Sequence, residues 1–541
     1  MDRVANFFPG NFSGGYTFNC LENFGRSLEG LQLVITTTAQ DPCPASRTTP
    51  TIPADTFVQA FAGAGTTGPT TNPNLQEYSA FAQDEWRVRN DLTLNFGLRY
   101  DLDLIAQPPV LNPNASLAAA GIFTNKIHND HANFGPRLGI AWTPLGKKLV
   151  VRTGFGIFYA RTPAITVGTA FSNNALNVQT LSFTGASIPQ YPATKCGAPV
   201  AAASCAAPVG GTAGAPTIYV FETNYHEPNV QQANLGFEYQ IQPSMSVQVN
   251  YLWVKGTHLT RTRDINQQGP ETPVTVGFVG STRTATVNRI TQPRPIAGFA
   301  RIEEFQGSAN SVYNGLTVQL NKRLSQNYQF LASYTFGKVI DDTPDATSVV
   351  PFSGDDAKMV QDPLNLHGDR GPGVNDQRHR FVLSAIWNLD GYTHSLHRSW
   401  RYLVGGWQLS GILTAETGQP YSGLVNSDLN TDSNSRTDRS PGLGRDTFNL
   451  PNFVSLDPRI TKSIPFTERV KVQLILETYN ALNRINYTSV NTTQFSTATG
   501  CTGAVTICLG PPRTPFQAPL STQLNFSPGS RIVQLSGKIT F

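Results

Sequence analysis

The sequence predicts an all-β protein, an antiparallel up-and-down transmembrane β-barrel. Three observations carry that expectation. The first is a repeated two-residue alternation of large apolar and polar side chains, which marks strands because successive side chains point to opposite faces. The second is the phase of the connections, short and long by turns. The third is composition: of 541 residues only 14% are charged, against ~25% in typical soluble domains, while 31 Phe and 17 Tyr are present.

The first clear strand pair is 78–88 (YSAFAQDEWRV) and 92–100 (LTLNFGLRY), joined by RND. In the second, Leu92, Leu94, Phe96, Leu98 and Tyr100 fall on one face, and Thr93, Asn95, Gly97 and Arg99 on the other. Next come 134–142 (FGPRLGIAW) and 149–159 (LVVRTGFGIFY), then 233–241 and 245–253, which turn at QPS. Strands at 316–320 and 328–336, 381–389 and 407–413, and 459–464 and 470–476 follow. The last strand, 531–541 (RIVQLSGKITF), ends on Phe541. These are about 13 strands from residue 76 onward, and a short one at 15–18 makes about 14. Convincing amphipathic helices are absent.

Most of the short connections have three to six residues, the one at 390–403 being longer. The long ones span 103–133, 161–230, 256–311, 339–378, 416–456 and 484–529. Loops beyond about 15 residues are unusual in compact domains. Long loops that all share one phase are expected of a membrane barrel, with short periplasmic turns on one rim and extracellular loops on the other. Strands of about 9–12 residues suit a tilted crossing of the bilayer. Almost no charge falls on the apolar face, where a midplane Arg or Lys costs about 2–4 kcal/mol. Tyr100, Trp142, Tyr159, Tyr251, Trp253 and Trp387 lie at or near strand ends, the place of aromatic girdles.

Composition also argues against other classes. A formal charge of +4 is too small and dispersed for nucleic acid. No run approaches the 18 or more apolar residues of a membrane helix. The opening MDRVANFFPGNFSGG has no apolar h-region, so no signal peptide is expected in it. Cys20 and Cys43, Cys196 and Cys205, and Cys501 and Cys508 sit in Gly-, Pro-, Ala-, Ser- or Thr-rich segments and read as disulfide staples, with unpaired thiols the alternative.

Several stretches together resemble the Oar-like branch of the TonB-dependent outer-membrane receptors. They are EYSAFAQDEWRVRNDLTLNFGLRYD (77–101), NFGPRLGIAW (133–142), YNGLTVQLNKRLSQNYQFLASYTFGKVIDD (313–342), DQRHRFVLSAIWNL (376–389), GGWQLSGILTAETGQPYS (405–422) and ETYNALNRINY (477–487). The resemblance implies a barrel of about 22 strands, of which about 14 are expected here, with plug and N-terminal domains absent. Residues 1–75 would be a partial barrel strand plus a long loop, and 76–541 the C-terminal barrel strands. Phe541 would be the signal to the barrel assembly machinery. A TonB-type energy-coupling protein would engage only through the missing N-terminal part. Outer-membrane lipid is the implied surroundings. No enzyme activity, cofactor or nucleic-acid partner is expected. The alternatives are a surface adhesion or ligand-binding barrel without active transport, and a soluble secreted carbohydrate-active β protein.

Candidate sites are sparse. Arg99, Arg137, Arg152 and Glu238 should face the lumen by strand parity. Asp428, Asn430, Asp432 and Asn434 alternate as calcium ligands would, but Ser433 and Arg439 stand where glycine and glutamate are expected. The competing reading is a polar surface loop. His128 with His131, and His394 with His397, read as solvated turns rather than zinc ligands. Asp341, Asp342, Asp345, Asp355 and Asp356 read as an exposed acidic loop. Gly154 and Gly156 suit close packing against a lumenal neighbour.

Overall fold

The computed structural model describes residues 6–7, 11–18, 21–29, 55–63, 66, 68, 70–146, 148–195, 208, 210–342, 359–389, 397, 400, 404–434, 438–465, 467, 470–522 and 530–541. Thirteen strands form one continuous antiparallel meander. They are β1 (Leu75–Arg89), β2 (Leu92–Ile105), β3 (Phe134–Trp142), β4 (Leu149–Tyr159), β5 (Asn229–Gln242), β6 (Met245–Asp264) and β7 (Arg301–Ser325). The series continues with β8 (Tyr328–Asp341), β9 (His379–Asn388), β10 (Trp407–Glu416), β11 (Phe453–Pro465), β12 (Lys471–Tyr479) and β13 (Ile532–Thr540). Each strand pairs with its sequence neighbours, and β1 and β13 are the two edges of the sheet. All thirteen correspond to strands read from the alternation.

Register settles the two faces. Directly paired residues lie on the same side of a sheet. Leu235 pairs with Thr153 and Tyr251, Phe96 with Leu138, and Trp387 with Tyr328 and Leu409, so these groups share the apolar face. They are uncovered: Phe96 is 46% exposed, Leu235 41% and Trp387 45%. A sheet sandwich would have buried them. Large apolar surface left open over a whole sheet marks a partner phase, here lipid. The soluble secreted reading falls on this point.

The short-turn rim carries Trp86, Trp142, Tyr239, Tyr328 and Trp387, all exposed. Two lysines share this rim on the outer face. The Lys322 ammonium sits 3.7 Å from the Tyr328 ring centroid and donates to the Ser325 and Tyr328 carbonyls at 2.7 and 3.0 Å. Lys462 lies 5.0 Å from the Trp407 ring centroid and donates to the Gly405 carbonyl. Each stem lies along the wall while the charge reaches a polar rim, as long cationic side chains do at membrane interfaces. Asp84, paired with Phe96 on edge strand β1, is an acidic residue on the outer face.

On the long-loop side the strands outrun the alternation. Alternation gave 245–253 and 316–320 for β6 and β7, yet these strands have 20 and 25 residues. A bulge follows Gly256, with His258 at a positive φ of 55°. Farther on, Arg261–Asp264 and the facing Ile302–Ala309 are largely covered by protein on both faces, so no polar–apolar alternation is required there. The strand Thr217–Phe221 runs parallel to β7, Thr217 opposite Arg301 and Phe221 opposite Phe305. It is a departure from a purely antiparallel barrel. Ile218 and Val220 enter a core with Leu117, Phe299 and Ile302, while Tyr219 and Phe221 enter another with Phe171, Tyr225 and Phe305. Burial of each large side chain contributes about 1.5–3 kcal/mol.

Two expectations need correction. The short strand at 15–18 exists as Gly15–Thr17, but it is not a fourteenth barrel strand. It pairs with Thr56–Ala62 in a separate four-stranded sheet with Val178–Thr184 and Thr212–Ala213, whose core is Phe57, Phe61, Leu181 and Phe183. Short helices also exist. Ala164–Ser172 is buried from Thr166 to Ser172 and so has no amphipathic stripe to read.

Candidate functional site

The polar face of the sheet is the candidate site. Arg99 pairs with Gly135, Arg137 with Gly97 and Gly156, and Arg152 with Ala141 and Gly236. Glu238 pairs with Val150. All four parity-selected residues therefore lie on the inner face, brought together by β2 to β5. Amides dominate between them: Gln83, Asn95, Gln232, Asn234, Gln248 and Asn250. Thr317 and Thr335 hydrogen bond across β7 and β8 at 2.9 Å.

Glycine has a definite purpose here. A Cβ on Gly156 would meet the Phe158 ring at 2.9 Å, because that ring lies down across it. A Cβ on Gly315 would collide with Tyr313, whose ring lies over Gly315 and Gly337. The absent side chains let inner aromatics lie flat against the wall. The expected close packing at Gly154 and Gly156 is realised, with the Asn234 side-chain oxygen 3.0 Å from the position a Gly154 Cβ would take.

Most inner-wall arginines are neutralised. Arg99 reaches Asp101 at 2.8 Å, Arg152 reaches Glu238 at 3.1 Å, Arg380 reaches Glu416 at 2.7 Å and Arg459 reaches Glu477 at 3.5 Å. A hollow of about 360 Å³ opens on this face, lined by side chains of β1 to β5.

Where the wall meets the loops, carboxyls gather. Glu227, 2% exposed, ends the loop between β4 and β5 and lies beside the Asp103 carboxyl. Asn133 donates to it at 3.1 Å. Burial, then the nearby charges of Asp103 and Asp130, push the Glu227 carboxyl up to about 8. Asp130 moves the other way: donors from Ala132, His226 and Glu227 outweigh its burial and hold it below the usual range. Nothing in the linear sequence marked Glu227, because its partners come from other loops and strands.

The alternating acids and amides at 428–434 do not form a solvated surface loop. Asn430, Asp432 and Asn434 are buried, and Asp428 is half-buried. Their oxygens serve the loop itself: Asn430 Oδ1 accepts from Asp432 N–H at 3.2 Å, Asp432 Oδ1 from Asn434 N–H at 2.7 Å, and Asp428 Oδ2 from Ser433 N–H at 2.9 Å. Burial raises Asp432 to about 7 and Asp438 to about 8. Among the described residues, no group of three or more His, Cys, Asp or Glu side chains is placed to hold a metal ion.

Asp341 is likewise not an exposed acid. It is buried and ion-paired with Arg445, which also donates to the Asp369 carbonyl at 3.2 Å. Asp342 accepts from Asn310 N–H. Asp345, Asp355, Asp356 and His394 lie outside the described residues. His128 faces His226, centroids 6.4 Å apart, rather than His131. Cys501 and Cys508 are joined in a disulfide. Cys20, Cys43, Cys196 and Cys205 lie outside the described residues.

Comparison with known proteins agrees with this architecture. Residues 3–443 match the family described as outer membrane beta barrel domain. No curated protein matches the chain. Among solved structures, the outer membrane transporter YddB of Escherichia coli aligns at TM-score 0.46 and 10% identity, over 90% of this chain and 47% of that one. The FrpB iron transporter of Neisseria meningitidis aligns at TM-score 0.44 and 10% identity, over 90% and 52%. FpvA of P. aeruginosa, bound to heterologous pyoverdines, aligns at TM-score 0.43 and 9% identity, over 87% and 39%. The chain thus spans about half the length, or less, of these structures. With the apolar face open to lipid and the polar face turned inward, the match over most of the sequence places the chain in the outer-membrane β-barrel family, with the outer membrane as its location.

Proposed function

We propose that this chain forms the barrel wall and extracellular layer of a TonB-dependent receptor of the Oar-like type. The receptor moves a large or scarce solute across the outer membrane with energy delivered from the inner membrane. The observation that carries this reading is the two-sided design. Open apolar groups face outward, amides and paired arginines face inward, and the long connections fold into cored structure on one rim. Folded loops on one rim suit capture of a solute, and a polar inner face suits its passage. The bilayer leaves no backbone group unpaired, so in the membrane β1 and β13 meet each other or further strands. Phe541, 98% exposed at the end of the last strand, is the proposed contact for the assembly machinery.

The test is fractionation followed by uptake. Heat-modifiable migration in the outer-membrane fraction is expected, together with solute accumulation that stops when the inner-membrane proton gradient is dissipated. Solute binding at the cell surface that ignores the gradient would instead favour an adhesion or ligand-binding barrel. A folded detergent-free monomer would overturn both.

A further inference from the structure

Arg137 differs from the four carboxylate-paired arginines of the inner wall. Arg99, Arg152, Arg380 and Arg459 each hold a carboxylate. Among the described residues Arg137 has no carboxylate within ion-pair distance. Its guanidinium instead lies over the Phe158 ring, 4.7 Å from the centroid. Phe158 is itself laid against the wall over Gly156. Stacking of this kind sets the plane of the guanidinium while leaving its N–H groups available.

The surroundings fit that arrangement. Arg137 and Phe158 line the hollow of about 360 Å³, with Gln83, Asn95, Gln232 and Asn234 around them. Among the described residues, neither Asp nor Glu lines it. We infer that this hollow binds an oxyanion, the carboxylate or phosphate group of a solute. Arg137 is the charged donor and the four amides are neutral donors. A guanidinium fork matches either oxyanion in a bidentate way, and side-chain amides add donors without adding charge. Arg152, two strand positions from Gly154 on the same wall, lacks this capacity because Glu238 already occupies it. The inference rests on the receptor reading only in taking the inner face as the solute path.

The test uses the full chain extracted in folded form from outer membranes, titrated calorimetrically with citrate, inorganic phosphate and maltotriose. Citrate or phosphate should bind, more weakly as salt is raised, and maltotriose should not. Arg137→Gln should weaken binding at least about tenfold, the scale of losing a hydrogen bond to a charged group. Arg137→Lys, which keeps charge but not the fork, should fall between. Lys126→Gln, the same loss of charge on a loop residue outside the wall, should stay close to wild type. Heat-modifiable migration checks that each variant is folded. Equal binding by Arg137→Gln, equal loss with Lys126→Gln, or no oxyanion binding by wild type would overturn the inference. Outer-membrane location would stand in each of those cases. A chain missing from the outer membrane would instead overturn the receptor reading.

Discussion

The wall and the loop layer solve opposite problems with the same chain. In the wall, Phe96, Leu235 and Trp387 point outward and stay uncovered, because hydrocarbon is the solvent there. In the loop layer, Phe57, Phe183, Ile302 and Phe305 are at most 1% exposed, because water is the solvent and protein must cover them. Charge follows the same division. Wall ion pairs lie on the polar face of the sheet, while Glu227, Asp432 and Asp438 are buried and pushed toward their protonated forms. The lesson is that burial cannot be equated with stability across this molecule.

The largest expected effect separates the two layers. Phe305→Ala removes a ring packed on Tyr219 and Phe221, with centroids 5.8 and 5.1 Å away. A loss of about 3–5 kcal/mol is expected in the loop layer. Limited proteolysis should then cut the loops between β4 and β5 and between β6 and β7, while heat-modifiable migration of the wall persists. Loss of both together would mean that the layers fold as one unit. Next in size is Leu235→Arg, which places a charge on the lipid face at a cost of about 2–4 kcal/mol. The adjacent Asn234→Arg should cost far less, since Asn234 faces inward. Urea unfolding in bilayers measures both, and equal costs would contradict the assignment of faces.

The legible part of the fold was the part with a one-sided environment. Alternation in 92–100 or 233–241 records lipid on one side and water on the other, and it located all thirteen wall strands. It stopped at Trp253, ahead of the bulge at Gly256 and of Arg261–Asp264, which is largely covered on both faces. For the same reason Thr217–Phe221 and Ala164–Ser172 left no periodic trace. Gly15–Thr17 was misassigned because a short alternating segment does not say which sheet it joins. The candidate site divides in the same way. Parity put Arg99, Arg137, Arg152 and Glu238 on one face. That Arg152 meets Glu238 depends on the register of β4 against β5, across a long loop that parity does not constrain, and that Arg137 meets Phe158 depends on the register of β3 against β4. Asp341 read as a loop acid because Arg445, its partner, lies 104 residues away.

A third experiment probes the junction of the layers by pH. Glu227 is raised in the folded state to about 8. A raised acid stabilises the fold fully below its unfolded value, ~4.3, and that contribution is lost as pH climbs to about 8. Opening of the junction, read by amide exchange near Asn133 and Asn229, should increase with pH over this window by at most about tenfold per unit. It should level off above. Glu227→Gln should flatten the profile. Asp130 has the opposite sign, its contribution being lost only as pH falls through its lowered value, so the two windows do not overlap. A wild-type profile already flat from pH 5 to 8 would show that the carboxyl pair is not what holds this junction.

The smallest expected effect lies in the wall itself. Arg152 and Glu238 are 58% and 29% exposed along their side chains. A pair so open to water is worth about 0.2–1 kcal/mol. A double-mutant cycle on Arg152→Gln and Glu238→Gln should return a coupling in that range, shrinking with salt. Its role is then to cancel charge along the inner face rather than to hold the strands, which the β4–β5 backbone pairing already does from Asn229 to Tyr239. A coupling several times larger would place the pair in a dry environment. Arg137, one strand away and without such a carboxylate among the described residues, would then carry a correspondingly heavier desolvation cost, and its stack on Phe158 would be the reason it is tolerated.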